Sequence, residues 1–245
     1  MSQSFQRKLL SPMLLTIPVL FTLMVTITFA QSPNTLGIFP QNSKPFGLSY
    51  EDHIKNYWKF AVKFPNENNP WTDKTGEMCR NGQESINSSI FYLPSGGGGN
   101  FERVCKIPAG VGIFIPVLVG EMSLLEAKNG TKSEDLPLLA KADQGNMHVF
   151  SLSIGDKKYD SEDLKKYGFL TNLFNLTFPK ENLFGVVIPS NKTTMAAADG
   201  YYVITEPLTK GTYIINTYGE MCTQGDDCPA GDNFKGNVTT KVIAE

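Results

Sequence analysis

The chain has 245 residues, with 22 basic and 24 acidic side chains, a net charge of −2 and two histidines. It carries no basic block, which argues against an electrostatic nucleic-acid surface. It also lacks a Gly-x-Ser-x-Gly elbow and a His-Glu-x-x-His motif, which excludes two common hydrolase designs.

Arg7 and Lys8 precede an almost continuous apolar run from Leu9 to Ala30, and Thr28-Phe29-Ala30 places small residues where a signal peptidase cuts. Residues 1–30 therefore read as a secretory signal peptide with Gln31 as the first mature residue; the alternative is an uncleaved membrane anchor. Either way the rest is extracellular or at the cell surface. Without residues 1–30 the chain has 215 residues, 20 basic and 24 acidic, enough for one substantial core. Residues 31–47, rich in Pro, Gly, Ser and Asn, read as a linker, and 48–245 as a single domain.

Ser49 with Asp52 forms a variant capping box. Ile54, Tyr57, Trp58, Ala61 and Val62 follow at helical spacing until Pro65, which predicts an N-terminal amphipathic helix over residues 50–64. His53 beside that stripe reads as a polar first-turn residue rather than a metal ligand, and Trp58 as core rather than a sugar platform.

Past a loop over residues 66–82, Ile90–Leu93 and Phe101–Ile107 read as strands of one hairpin joined across Ser-Gly-Gly-Gly-Gly-Asn. That glycine run lacks the Lys-Ser/Thr and following helix of a phosphate-binding loop, so it reads as a hairpin tip. Pro108-Ala109-Gly110 then turns the chain into Val-Gly-Ile-Phe-Ile-Pro-Val-Leu-Val-Gly, a strand covered on both faces, with Pro116 marking a bulge or a passage to a second sheet.

Trp71, Thr75-Gly76, Cys79, Gly82-Gln83, the Cys105-x-Ile-Pro-Ala-Gly turn and Phe114-x-Pro116 resemble a group of uncharacterised secreted archaeal and bacterial proteins. Ala198-Asp199-Gly200-Tyr201-Tyr202 and Pro207-Leu208-x-x-Gly211-x-Tyr213-x-Ile215 fit the same pattern. The resemblance covers residues 50–217. It implies a shared exported scaffold and brings no activity or catalytic residues.

Residues 120–145 read as one or two short helices, with Ser133 as an N-cap. Strands follow at Met147–Ile154, Lys158–Tyr159, Phe169–Phe178, Phe184–Ile188, Tyr201–Thr205, Thr212–Thr217 and Val238–Ile243, with a helical turn at Ser161–Tyr167. The class is mainly β: an antiparallel β-sandwich, jelly-roll or immunoglobulin-like, with the N-terminal helix and short helical insertions.

In an exported chain, four cysteines read as two disulfides. Three pairings are possible, and the local loops favour Cys79–Cys105 with Cys222–Cys228, worth roughly 3.6 and 2.4 kcal/mol by chain entropy. The cysteines lack the close spacing of a zinc site. Five Asn-x-Ser/Thr sequons, at Asn87, Asn129, Asn175, Asn191 and Asn237, are candidate glycosylation sites.

Glu121, Asp199, Glu206 and Glu220 are the acids a glycan hydrolase would draw on, with nothing in the sequence selecting a pair. Met147-His148 suggests copper, but strand geometry points the two to opposite faces. Glu220, Asp226, Asp227 and Asp232, in a disulfide-closed loop, are candidate calcium ligands. With no catalytic constellation, the expectation is an exported binding or structural module that meets cell-surface glycans or proteins. The alternative is a secreted carboxylate-dependent glycan hydrolase.

Overall fold

The computed structural model describes residues 36–83, 89–144, 147–222 and 233–245, with the backbone alone at 143, 144, 147, 148, 222 and 233. All of these belong to one compact unit, Pro33–Glu245. Among the described residues no helix is long and apolar enough to cross a membrane.

Two five-stranded sheets pack together, as the mainly β, sandwich-like reading expects. The first has the order β1 (Ile90–Tyr92), β3 (Gly112–Ser123), β8 (Lys192–Ile204), then β6 (Gly168–Leu170) and β7 (Phe174–Phe178), both pairing with β8. The second runs β2 (Gly99–Ile107), β10 (Asn233–Ala244), β9 (Gly211–Cys222), β4 (Met147–Ile154), β5 (Lys157–Tyr159). The sheets are mixed rather than purely antiparallel, because β1 pairs parallel with β3 and β10 parallel with β2.

Helix α1, Tyr50–Val62, starts where the capping box predicts: the Asp52 amide donates to Ser49 Oγ at 3.1 Å and the Ser49 amide to Asp52 Oδ2 at 3.3 Å. Its apolar face lies on the first sheet. The Tyr57 ring stacks on Phe114 at 5.0 Å, and Trp58 Nε1 donates to the Tyr202 hydroxyl at 3.1 Å. Successive strand residues face opposite ways, so Tyr201 points to the other side, where it stacks on Phe150 of the second sheet at 4.0 Å. The first sheet is thus sandwiched between α1 and the second sheet, which explains the unbroken apolar run in β3.

Pro116 sits at the bulge the sequence suggested, where the β3–β8 register slips between Pro116 and Leu118. Just past the bulge Gly200 pairs with Val119 at φ +148°, and a Cβ there would come within 2.6 Å of the Leu118 carbonyl oxygen. Gly219 leaves room for the Leu118 side chain between the sheets; a Cβ would sit 2.7 Å from Leu118 Cδ1.

Several expectations are corrected. Ile90–Leu93 and Phe101–Ile107 form no hairpin, because β1 and β2 belong to different sheets and the glycine run is a crossing between them. The single strand expected over Phe169–Phe178 is broken at residues 171–173, where the Thr171 hydroxyl accepts from the Ala198 amide at 3.0 Å and holds the gap to β8. Residues 184–188 form no strand. The stretch Met122–Lys128 extends β3 and then turns, leaving one helix, α2, Leu136–Gln144, which packs Leu136 and Ala140 on Ala197. A short helix, α3, Ser161–Leu164, follows β5. Of the residues read as a linker, those from Leu36 onward lie on the sheet: Ile38 bridges to Thr205, and the Phe39 amide donates to the Ile204 carbonyl at 2.9 Å.

Cys79 and Cys105 form a disulfide with Cα atoms 5.7 Å apart, tying the loop after α1 to β2. The same loop is held by Arg103, whose guanidinium is buried and donates to the carbonyls of Asp73, Pro94, Ser95 and Trp71 at 2.7, 2.6, 2.9 and 3.0 Å. It also lies over the Phe101 ring at 4.6 Å. Burial lowers its pKa to about 10, and it stays charged at neutral pH, stabilised by the carbonyl dipoles and by the Asp73 charge.

Candidate functional site

The strands of the second sheet alternate strictly. Phe101, Arg103, Cys105 and Ile107 of β2 point inward, and Glu102, Val104 and Lys106 outward. Register then fixes what the outer face presents. One row reads Asn100, Asn237, Tyr218, Ser151; the next reads Glu102, Thr239, Asn216, Ser153, Lys158. A third, Val104, Lys241, Ile214, closes the patch with two exposed aliphatic side chains.

An ordinary solvated sheet face carries long charged side chains that move freely. Here Ser151, Ser153, Asn216, Tyr218, Asn237 and Thr239 are short or rigid and half-buried. They are also interlocked. Asn216 Nδ2 donates to Asn237 Oδ1 at 2.7 Å and to Thr239 Oγ1 at 2.8 Å, which fixes the amide orientation and leaves its carbonyl oxygen directed by the same geometry. The Tyr218 hydroxyl donates to Glu220 Oε1, which also meets Lys235 Nζ at 3.2 Å.

At the β4–β5 edge this face deepens into a groove of about 420 Å³, lined by Ser151, Ser153, Asn216, Lys158, Tyr159, Asp160 and Asp163. The groove falls within the size range of small-ligand sites. Asp160 and Asp163 cap the short α3 reciprocally, with the Asp163 amide donating to Asp160 Oδ1 at 3.1 Å and the Asp160 amide to Asp163 Oδ2 at 3.3 Å. Burial, and then the Asp163 charge, raise the Tyr159 pKa, which keeps that hydroxyl protonated as a donor. The arrangement offers preorganised donors and acceptors.

The four acids a hydrolase would need are not brought together. Register pairs Glu121 with Ala198 and Gly120 with Asp199, so Glu121 and Asp199 lie on opposite faces of the first sheet. Glu206 lies against Gly37 at the sheet's end, and Glu220 is on the second sheet. Glu121 is only 8% exposed, with the Glu126 carboxyl as a side-chain neighbour. Burial first, and then the neighbouring Glu126, raise its pKa well above 4.5. Glu126 in turn accepts from Ser123 Oγ at 2.6 Å. Asp199 is also raised, mainly by burial.

His53 is buried in the core, its Nε2 2.9 Å from the Pro45 carbonyl and its Nδ1 3.3 Å from the Tyr92 hydroxyl. Burial lowers its pKa. This is a structural histidine, as its place beside the helix stripe suggests. Trp58 is core and 1% exposed.

Asn129, Asn175 and Asn191 are exposed and Asn237 is half-buried; Asn87 lies outside the described residues. So do Cys228, Asp226, Asp227 and Asp232, while Cys222 is described by its backbone at the end of β9. The calcium reading and the Cys222–Cys228 pairing therefore fall outside the described residues. So do the side chains of Met147 and His148 on which the copper reading depends. Among the described residues, no group of three or more His, Cys, Asp or Glu side chains converges as a metal site.

The sequence reading did not find Arg103, Glu126 or the Asn216 network. Arg103 had a visible signal, a charged residue at an inward position of an alternating strand. Asn216 had none, since its meaning comes from the register of β9 against β10. The chain matches no protein-family model, no curated protein and no solved structure, so function is read from the geometry.

Proposed function

We propose that this chain is an exported, non-enzymatic binding module that holds a polyhydroxylated extracellular ligand, a glycan, on the outer face of its second sheet. The observation that carries the reading is the fixed Asn216 amide at the mouth of the 420 Å³ groove, hydrogen-bonded to Asn237 and Thr239. A ligand rich in hydroxyls needs many positioned donors and acceptors and little net charge, and rigid side chains lower the ordering cost of binding. Export is supported by the basic-then-apolar N-terminus and by the Cys79–Cys105 disulfide, which an oxidising compartment favours. The separation of Glu121 from Asp199 counts against the glycan-hydrolase alternative, which needs two acids flanking one bond.

The reading requires the Asn237 sequon to stay unmodified, because a glycan there would cover the platform. Isothermal titration of the exported protein with a panel of soluble oligosaccharides tests it. At least one oligosaccharide binds, and Asn216→Ala weakens that binding about tenfold, equivalent to ~1.4 kcal/mol. Failure of every oligosaccharide at millimolar concentration, or equal binding by Asn216→Ala, overturns it.

A further inference from the structure

A second groove, of about 510 Å³, lies away from the outer face of the second sheet and is lined by Lys59, Lys63, Asn175, Thr177, Pro179 and Asn191. One wall is the C-terminal turn of α1. The other is the segment joining β7 to β8 and the strand ends beside it. Two features distinguish it from an ordinary surface hollow. It contains the acceptor asparagines of two separate sequons, Asn175-Leu176-Thr177 and Asn191-Lys192-Thr193. These sequons are also physically joined, because β7 pairs with β8 so that Thr177 lies opposite Thr193 with their hydroxyl oxygens 2.8 Å apart.

Both asparagines are exposed. Leu176, between Asn175 and Thr177, is fully buried and anchors the strand, while its neighbours face outward by strand alternation. Among the described residues the groove's lining includes two exposed lysines, Lys59 and Lys63, the latter with its ammonium 5.5 Å from the Phe64 ring centre.

We infer that this groove seats the chain's own N-linked glycans, carried on Asn175 and Asn191, and that these glycans brace the end of α1. Sugar hydroxyls and ring oxygens accept from the Lys59 and Lys63 ammonium groups, and acidic sugars add charge pairing. The attachment is covalent, so the first sugars are held beside the groove at high effective concentration and need little intrinsic affinity to fill it. The volume lies in the range of ordinary small-ligand sites. Lys63 and the helix end are the natural beneficiaries. At the end of α1 the Lys63 amide donates back to Phe60 at 3.3 Å, and Asn69 Nδ2 donates to the Ala61 and Phe64 carbonyls at 2.8 and 3.2 Å. The turn is thus held from its inner side, and the glycans would cover its exposed lysine side.

This inference rests on the export reading, and Asn129 separates failure of the one from failure of the other. Asn129 is an exposed sequon in the turn after β3, outside the groove. The full chain is expressed in a secreting, glycosylating host. Glycopeptide mass spectrometry measures occupancy, and hydrogen exchange is read over residues 59–64 before and after enzymatic glycan removal and in Asn175→Gln/Asn191→Gln. Asn175 or Asn191 is occupied, and loss of those glycans speeds exchange over residues 59–64 roughly threefold. Asn129→Gln leaves that exchange unchanged, and Lys59→Ala/Lys63→Ala reproduces the speeding with the glycans still present. Occupancy at Asn129 with both groove sequons bare overturns the inference while export stands. Occupied groove sequons whose removal leaves exchange unchanged also overturn it. No occupancy at any sequon of a secreted chain overturns it as well; failure of the chain to be secreted at all overturns the export reading on which it rests.

Discussion

Replacing Glu121 by Gln should stabilise the protein at neutral pH, which is unusual for a change at a buried position. Glu121 is buried at 8% exposure, with the Glu126 carboxyl beside it. In the folded state the carboxyl is held protonated by desolvation, while in the unfolded chain it ionises near its ordinary value of 4.5. Below that value both states are protonated, and the group does not affect folding. Above it the unfolded chain releases a proton that the folded chain keeps, so stability falls as pH rises, until the folded carboxyl itself ionises.

Each pH unit above 4.5 costs about 1.4 kcal/mol until the folded carboxyl ionises, so the cost at pH 7 is at most about 3.4 kcal/mol. The amide introduced by Glu121→Gln cannot ionise, and its NH₂ can donate to Glu126 as the protonated acid would. We expect Glu121→Gln to gain about 1–3 kcal/mol at pH 7, or roughly 2–4 °C in Tm per kcal/mol for a chain of this size. The gain should vanish below about pH 4.5. His53, whose lowered pKa destabilises the fold as pH drops below about 6.5, acts equally in both proteins and cancels in the difference. Thermal unfolding of both proteins from pH 4 to pH 8 provides the assay. Loss of stability in Glu121→Gln at pH 7, or a difference independent of pH, would refute the reasoning.

Removing the Cys79–Cys105 link with two alanines should cost up to about 3.5 kcal/mol by chain entropy over the 26-residue separation, read as a lower urea midpoint. Arg103→Lys should cost more than ~3 kcal/mol despite keeping the charge, because an ammonium cannot reach the four carbonyls that the planar guanidinium serves; chemical denaturation measures it. Mass spectrometry of the exported protein should find Asn237 bare, its oxygen and the Thr239 hydroxyl both held by Asn216, and should place the mature N-terminus at Gln31. Peptides from before Ala30 on the mature species would favour an anchor instead.

Some local signals in the sequence placed their elements, while others did not: residues 184–188 form no strand, Met122–Lys128 no helix, and Ser133 lies inside a short helical turn capped by Lys132. Ser49 and Asp52 placed the start of α1, the alternation of Phe101, Arg103, Cys105 and Ile107 placed β2, and Pro116 marked the bulge. The partnerships between distant elements were not legible at all. The glycine run between Leu93 and Gly99 is chemically suited both to a hairpin tip and to a crossing between sheets. The choice was made elsewhere, by parallel pairing of β2 with the C-terminal β10. The candidate site depends on the same kind of information. Asn216, Asn237 and Thr239 are ordinary strand residues in sequence and become a unit only through the β9–β10 register. Glu121 and Asp199 looked like equivalent acids until register set them on opposite faces.

The claim at the centre of this account is that the outer face of the second sheet binds a glycan. Amide chemical-shift mapping on titration with an oligosaccharide that binds in calorimetry tests it most directly. Shifts are expected to concentrate on Ser151, Ser153, Lys158, Asn216, Tyr218 and Thr239, with the α1 groove at Lys59 and Lys63 unmoved. Shifts centred on Glu121 and Glu126, or spread over the first sheet with the outer face silent, would contradict it.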